Sequence, residues 1–336
     1  MRLRISLIRI SQECSKKVNN LNLINNMKVS IIGAGNVGAT AAMKIASEGF
    51  AKELVLLDVK EGVAEGKAMD IMQSLMMGDS YTFVTGTTGD YSKTANSDVI
   101  VITSGVPRKP GMTREELVGV NSKVMTMVLD GATKYSPDAI FVVVSNPMDT
   151  MTQMVVNYLG VENANRVIGM GGALDSARFK YNIFMKVREK TPYIAPRNIQ
   201  DCWVIGGHGD TTMIPIWEDA RYLSYPLKEL FSQEKINEIV ENTMKGGATL
   251  TKLLGTSAWE APAAGIAITV KAILNNEHKV IPSSSWSSVY NCFVGQICTI
   301  SEDGIEDINW RCENIKRVQD KLIESVNAIK KVNQNI

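Results

Sequence analysis

The stretch Lys28-Val29-Ser30-Ile31-Ile32-Gly33-Ala34-Gly35-Asn36-Val37-Gly38-Ala39 decides how this chain folds. Residues 28–32 are a short apolar run rich in β-branched side chains, which reads as a buried strand. Residues 33–38 spell G-x-G-x-x-G, and residues 39–49 have the length and composition of a helix. Context makes the pattern informative, because a strand runs into it and a helix leaves it. Gly33 permits a tight turn, Gly35 leaves the backbone open to a pyrophosphate, and Gly38 lets helix and strand pack closely. The helix N-terminus then presents free N–H groups and partial positive charge to phosphate oxygens.

Working outward, the next apolar run, residues 54–57, ends at Asp58, twenty positions after Gly38. An acid at that place accepts hydrogen bonds from the adenosine ribose hydroxyls and repels a 2′-phosphate, which favours NAD over NADP. Further runs lie at 99–103 and 141–144, with a weaker one at 81–84. Short buried strands alternating with helix-length segments predict βαβ units and a parallel sheet. The fold class is therefore α/β: a Rossmann-type parallel-sheet domain over residues 27–150, then an α+β substrate or catalytic domain over 151–336. In the second part the runs 201–205 and 278–281 stand between longer helical stretches. Ile315, Val318, Leu322, Val326, Ile329 and Val332 recur at helical spacing and predict a closing amphipathic helix.

Thirty-six basic and 35 acidic side chains nearly cancel, which argues against a general electrostatic binder of nucleic acid or membranes. No stretch approaches the roughly 20 apolar residues that span a bilayer. The cysteines (Cys14, Cys202, Cys292, Cys298, Cys312) are odd in number and scattered. They fit reduced thiols in a cytoplasmic protein and give no metal site or disulfide framework. Residues 1–26 carry five basic side chains against the single acid Glu13. That bias resembles an organelle transit peptide; the preferred alternative is that the functional chain starts at Met27 and the leader is a start-site artefact or a disordered tail. Met69, Met72, Met76 and Met77 fall at near-helical spacing and read as core or subunit-interface packing.

Chemistry-bearing residues gather in four places. Histidine is scarce, two in 336 residues, yet one copy is boxed in Gly206-Gly207-His208-Gly209-Asp210. An imidazole both accepts and returns a proton near neutral pH. Just past the run 99–103 comes a Gly- and Pro-rich loop with Arg108, Gly111 and Arg114. Loops at the carboxyl edge of such a sheet bind ligands, and guanidinium groups hold carboxylates bidentately. Val144-Ser145-Asn146-Pro147 follows the next run, where Asn146 either holds a substrate oxygen or shapes a turn. On a helix, Asp175 and Arg178 share a face. Taken singly, each cluster also fits a solvated loop, a turn or a surface ion pair.

Together, G-A-G-N-V-G, P-R-K-P-G-M-T-R, V-V-S-N-P, L-D-S-A-R-F and G-G-H-G-D resemble the malate/lactate dehydrogenase family, in the family's order. The likeness runs from Met27 to about residue 275 and more weakly beyond. It implies NAD as cofactor, contacted by Gly33, Ala34, Gly35, Asn36, Val37, Gly38, Asp58, Asn121, Val144, Ser145 and Asn146. It makes His208 the general acid/base and Asp175 the acid that orients it. It assigns substrate to Arg178 (one carboxylate), Arg114 (carbonyl polarisation from a closing loop), Asn146, Arg108 and Ser257. It implies a homodimer or homotetramer acting on a small dicarboxylate.

Arg108 decides between substrates, since family members acting on lactate commonly carry glutamine there. An arginine pairs with the second carboxylate of oxaloacetate, whereas pyruvate would leave it buried and unpaired. A lost charge pair of that kind costs roughly 2–5 kcal/mol, more than tenfold in discrimination. Malate/oxaloacetate is thus expected, with a lactate or other 2-hydroxyacid dehydrogenase as the alternative. A non-catalytic dinucleotide sensor would be expected to lack His208, Asp175 or Arg178. An NAD-dependent glycosidase would need Cys and His metal ligands that two histidines scarcely supply. The chain departs from the family at Ser283–Cys292, expected as a short serine-rich connection, and at Gly295-Gln296-Ile297-Cys298, where the family has Gly-x-Pro.

Overall fold

The computed structural model describes residues 27–107, 114–309, 315–334 and 336. The first half contains strands β1 (Lys28–Ile32), β2 (Glu53–Asp58), β3 (Phe83–Thr88), β4 (Val99–Ile102), β5 (Ile140–Val143) and β6 (Val167–Gly169). Helices α1 (Asn36–Glu48), α2 (Val63–Leu75), α3 (Arg114–Tyr135) and α4 (Met148–Leu159) connect them. In the second half α5 (Gly172–Arg188) leads to β7 (Ile199–Gln200), β8 (Trp203–Gly206), β9 (Met213–Ile216), β10 (Arg221–Tyr222) and β11 (Tyr225–Pro226). Then follow α6 (Leu227–Leu230), α7 (Gln233–Met244), α8 (Gly246–Leu254), α9 (Glu260–Leu274), β12 (Lys279–Ser287), β13 (Cys292–Ser301), β14 (Gly304–Ile308) and α10 (Lys316–Asn333).

The strands β3-β2-β1-β4-β5-β6 are neighbours in that order, and every adjacent pair is parallel. The order reverses between β1 and β4, so the loops leaving them diverge and open a crevice at the carboxyl edge. Crossovers place helices on both faces, which is why β4 and β5 are buried at every position. Ala41, Ile45, Leu54, Ala64, Ile266 and Val270 pack together on one face. Ile100, Phe141, Met125, Leu129, Met151 and Val155 pack on the other. Beyond β6 the sheet continues antiparallel, through Ser284↔Gly169, into β12, β13, β8 and β9. This continuity carries the second half of the chain to the same carboxyl edge.

Several expected boundaries move for physical reasons. Helix α1 starts at Asn36 rather than 39, because Gly35 serves as its N-cap. The weak run at 81–84 becomes β3, extended to Thr88 by unbroken pairing with β2 from Glu53↔Phe83 to Asp58↔Thr88. The expected serine-rich connection at Ser283–Cys292 is corrected: residues 283–287 are strand, paired with β13 in unbroken register to Ser287↔Cys292. Serine is a weak strand former, but here the hydroxyls find partners. Gln296 Nε2 donates to Ser285 Oγ at 2.7 Å and Ser284 Oγ donates to Asp149 at 2.8 Å. The closing amphipathic helix is α10, burying Val318, Leu322, Val326 and Ile329. Of the four methionines only Met72 packs against the core. Met69, Met76 and Met77 are exposed in the single chain, so the core reading fails for those three. Cys202, Cys292 and Cys298 are free and buried, and no helix among the described residues is long and apolar enough to cross a membrane.

Candidate active site

The first wall of the crevice is the turn after β1. Gly33 takes φ +111° and donates its N–H to Leu57 O at 2.7 Å, a backbone path that favours glycine. A Cβ on Gly38 would stand 1.9 Å from Gly33 O, whereas one on Gly35 would meet nothing within 4 Å. The turn is thus closed on its inner side and open on its outer side. Asp58, at the end of β2, accepts the Ala34 N–H at Oδ2 (2.7 Å) and the Lys60 N–H at Oδ1 (2.9 Å). Two backbone donors fix its carboxylate beside the turn. Ala34 and Gly38 are buried, Val37 half-buried, and Gly35 and Asn36 exposed.

No side chain caps α1, so its first N–H groups keep their capacity for an anion. Open space over Gly35, an uncapped helix N-terminus and a fixed carboxylate at the next strand end together fit a dinucleotide. Its pyrophosphate would lie on residues 35–38 and its ribose on Asp58.

The second wall comes from the ends of β4 and β5. Val144 donates its N–H to Ile102 O at 2.9 Å, and Ser145 Oγ reaches the carbonyls of Ser104 (2.5 Å) and Ile102 (3.2 Å). Asn121, buried on α3, braces the loops: Oδ1 accepts the Val106 N–H at 2.8 Å. Its Nδ2 donates to Val106 O at 3.2 Å and to Asn146 O at 2.6 Å. The Asn146 residue itself is exposed at the crevice, ahead of a cis Asn146–Pro147 bond. Arg108 lies outside the described residues, and Arg114 is placed only by its backbone, as the first residue of α3.

The third element is the His208 cluster. β8 ends at Gly206, and His208 follows on the turn toward β9. Asp175 sits in the first turn of α5 with only 2% of its surface exposed. His208 Nδ1 lies 2.7 Å from Asp175 Oδ2. The other oxygen, Oδ1, accepts from Arg178 Nη1 at 3.1 Å. An ionised Asp175 selects the tautomer with the proton on Nδ1 and leaves Nε2 as the acceptor nitrogen. The close approach needs Gly171 at the helix entrance, where a Cβ would stand 2.8 Å from His208 Cγ.

Burial alone would depress the His208 pKa. Asp175, by charge and hydrogen bond, and Asp149, by charge, outweigh that and the opposing Arg178, so the pKa is held above the ordinary 6.5. The Arg178 Nε is buried without a protein partner. Ser257 is exposed on the connection between α8 and α9.

Two residues escaped the sequence reading. Asp149, in the first turn of α4, accepts the His208 backbone N–H at Oδ2 (2.8 Å), and Ser284 on β12 donates to its Oδ1 (2.8 Å). The only local signal was an acid three positions beyond Asn146, because both partners are far away in sequence.

A histidine paired with a buried carboxylate, and a glycine turn that fits a dinucleotide, are parts that an NAD-dependent oxidoreductase would use. Known proteins narrow that class. Residues 27–169 match the lactate/malate dehydrogenase NAD binding domain, and residues 172–335 match the lactate/malate dehydrogenase alpha/beta C-terminal domain. The chain belongs to the lactate/malate dehydrogenase family, and its cofactor is NAD. It is 56% identical to a malate dehydrogenase of Bacteroides fragilis over 257 residues, covering 76% of this chain and 80% of that protein. It is 50% identical to a malate dehydrogenase of Parabacteroides distasonis over 311 residues, covering 91% and 97%. The crystal structure of Cryptosporidium parvum malate dehydrogenase superposes with a TM-score of 0.85 at 34% identity, covering 92% of this chain and 98% of that one.

Proposed function

We propose that this protein catalyses the reversible NAD-dependent oxidation of (S)-malate to oxaloacetate. The observation that carries the reading is the 2.7 Å His208–Asp175 contact, with Arg178 on the same carboxylate, in a chain that also carries a turn fit for a dinucleotide. NAD, when bound, supplies the hydride acceptor. The protein's own residues do the rest. Nε2 of His208 takes the proton of the substrate hydroxyl as the C–H bond is broken, and Asp175 stabilises the resulting imidazolium. In the reverse direction the imidazolium returns the proton to the forming alkoxide.

Arg178 binds one carboxylate through its fork of N–H donors, including the unpartnered Nε. Arg108 binds the second carboxylate and sets the preference for oxaloacetate over pyruvate, Arg114 polarises the carbonyl, and Asn146 orients the reacting oxygen. The naming of the closely similar relatives as malate dehydrogenases supports this choice within a family that spans both substrates.

The raised pKa of His208 fixes the expected pH dependence. Oxaloacetate reduction needs the protonated ring, and malate oxidation needs the neutral one. The kcat/KM for oxaloacetate should therefore fall as pH rises through a midpoint above 6.5, and the kcat/KM for malate should rise through the same midpoint. Initial rates in both directions from pH 5 to 9 check this. Two profiles that move in the same direction would rule out a single proton carrier.

A further inference from the structure

The His208 cluster holds one more buried carboxylate than the proton transfer just described requires. We propose that Asp149 is a positioning residue that fixes His208 from its main-chain side and keeps a second negative charge beside the imidazole. The inference rests on the reading of His208 as the proton carrier.

Geometry carries it first. His208 is tied at two ends: the ring to Asp175 Oδ2 at 2.7 Å, and the backbone N–H to Asp149 Oδ2 at 2.8 Å. Asp149 is itself anchored, since Ser284 Oγ donates to its second oxygen at 2.8 Å. The preceding residue on the turn, Gly207, donates its N–H to Ser325 Oγ on α10 at 2.7 Å. The backbone that carries the imidazole is thus pinned to α4, and through Asp149 to β12, while the ring is pinned to α5. A proton carrier must hold its geometry within tenths of an ångström, and loops do so only when their backbones are fixed in this way.

Charge is the second argument. Among the described residues the charged groups around the ring are Asp175 and Arg178 from α5 and Asp149 from α4. β12 and α10 contribute only the neutral hydroxyls of Ser284 and Ser325. With both acids ionised and the imidazole neutral, the cluster has two carboxylates and one guanidinium, and protonating the ring makes it neutral. Asp149 thereby favours the imidazolium.

That charge runs against the stability of the fold. Burial pushes the Asp149 pKa up, partly countered by its bonds from His208 and Ser284. A group whose folded pKa is raised adds stability only at low pH, and loses it as pH rises through that pKa. Wherever Asp149 carries its charge, that charge is therefore held at a cost to stability. An asparagine of the same shape would keep both contacts, Oδ1 accepting from His208 and Nδ2 donating to Ser284 Oγ, without that cost. Packing gives no reason for the carboxylate, whereas a proton carrier that must be charged in one direction of turnover does.

The test is Asp149→Asn, read by the imidazole titration in NMR and by kcat and KM. His278, the only other histidine, is replaced by Gln so that one ring signal remains. The titration midpoint should fall by about one pH unit or more, the size expected when a nearby opposite charge is removed. The limb of the pH–rate profile should move with it, with KM for NADH unchanged and the melting temperature equal or higher. An unchanged midpoint and profile in a folded variant would overturn the proposal.

If Asp149→Asn fails to fold, Ser284→Ala takes its place. It keeps the charge and removes one anchor, so kcat should drop about three- to tenfold, as for one net hydrogen bond. The midpoint should then not fall. An unchanged kcat would overturn the anchoring role. A wild-type protein that reduces no 2-oxoacid would overturn the proposed reaction instead, and the NMR titration would still decide what Asp149 does to the ring.

Discussion

Replacing His208 by Asn lowers kcat for oxaloacetate reduction by about a hundred- to ten-thousandfold, the usual contribution of a positioned general acid, and leaves NADH affinity as it was. The split follows from where the residue sits. His208 lies after β8, in the half of the chain beyond β6, while the dinucleotide turn follows β1, and among the described residues no hydrogen bond joins His208 directly to residues 33–38. Asparagine is close in size to the near half of imidazole and can still donate to Asp175, so the buried carboxylate is not left unpaired. That matters because an uncompensated Asp175, 2% exposed beside Arg178, would confound lost chemistry with lost folding. Steady-state kinetics with fluorescence titration of NADH give both quantities. A variant that retains a tenth or more of wild-type kcat would remove His208 from the mechanism.

The second large effect separates two glycines three residues apart. Gly38→Ala places a Cβ 1.9 Å from the Gly33 carbonyl oxygen and 2.8 Å from Thr103 Oγ1, which itself donates to Gly33 O at 2.9 Å. The contact is with backbone, so the turn must open. The cost is at least the roughly 1–3 kcal/mol of an overpacked core, with melting lowered by several degrees and NADH binding weakened together. Gly35→Ala meets nothing within 4 Å in the protein. Its Cβ instead occupies the space over the uncapped start of α1, so melting should fall by no more than a few degrees, from the poorer alanine N-cap, while NADH affinity falls at least tenfold. That change in affinity corresponds to about 1.4 kcal/mol. Melting curves with and without NADH check both. Full NADH affinity in Gly35→Ala would show that the pyrophosphate does not lie where the turn is open.

Legibility in the sequence followed the range of the forces involved. The turn at residues 33–38 and Asp58 were readable because strand, glycine spacing and helix start are local, and the structure places Asp58 on the Ala34 N–H as part of that same turn. The partnership of Asp175 with His208 spans 33 positions, and only the order of motifs, through the family resemblance, brought it into view. Asp149 had no such support. Its partners lie 59 and 135 positions away, and an acid in the first turn of a helix is ordinarily explained by the helix dipole. The serines at 283–287 misled for a related reason. Their strand is held by cross-strand and cross-element hydrogen bonds, so tertiary context overrides a weak β propensity. Strand ends moved wherever pairing, which is non-local, set the limit: by one residue at β4 and β5, but by four at β3 and six at β12.

The most direct test compares initial rates of NADH oxidation with oxaloacetate, with pyruvate and with no acceptor, for the wild type and for Arg108→Gln. If this chain is a malate dehydrogenase that reads the second carboxylate with Arg108, wild-type kcat/KM for oxaloacetate exceeds that for pyruvate by more than tenfold. That is the least that a lost charge pair of roughly 2–5 kcal/mol implies. Arg108→Gln then shifts the ratio toward pyruvate. Faster reduction of pyruvate than oxaloacetate by the wild type would contradict the account.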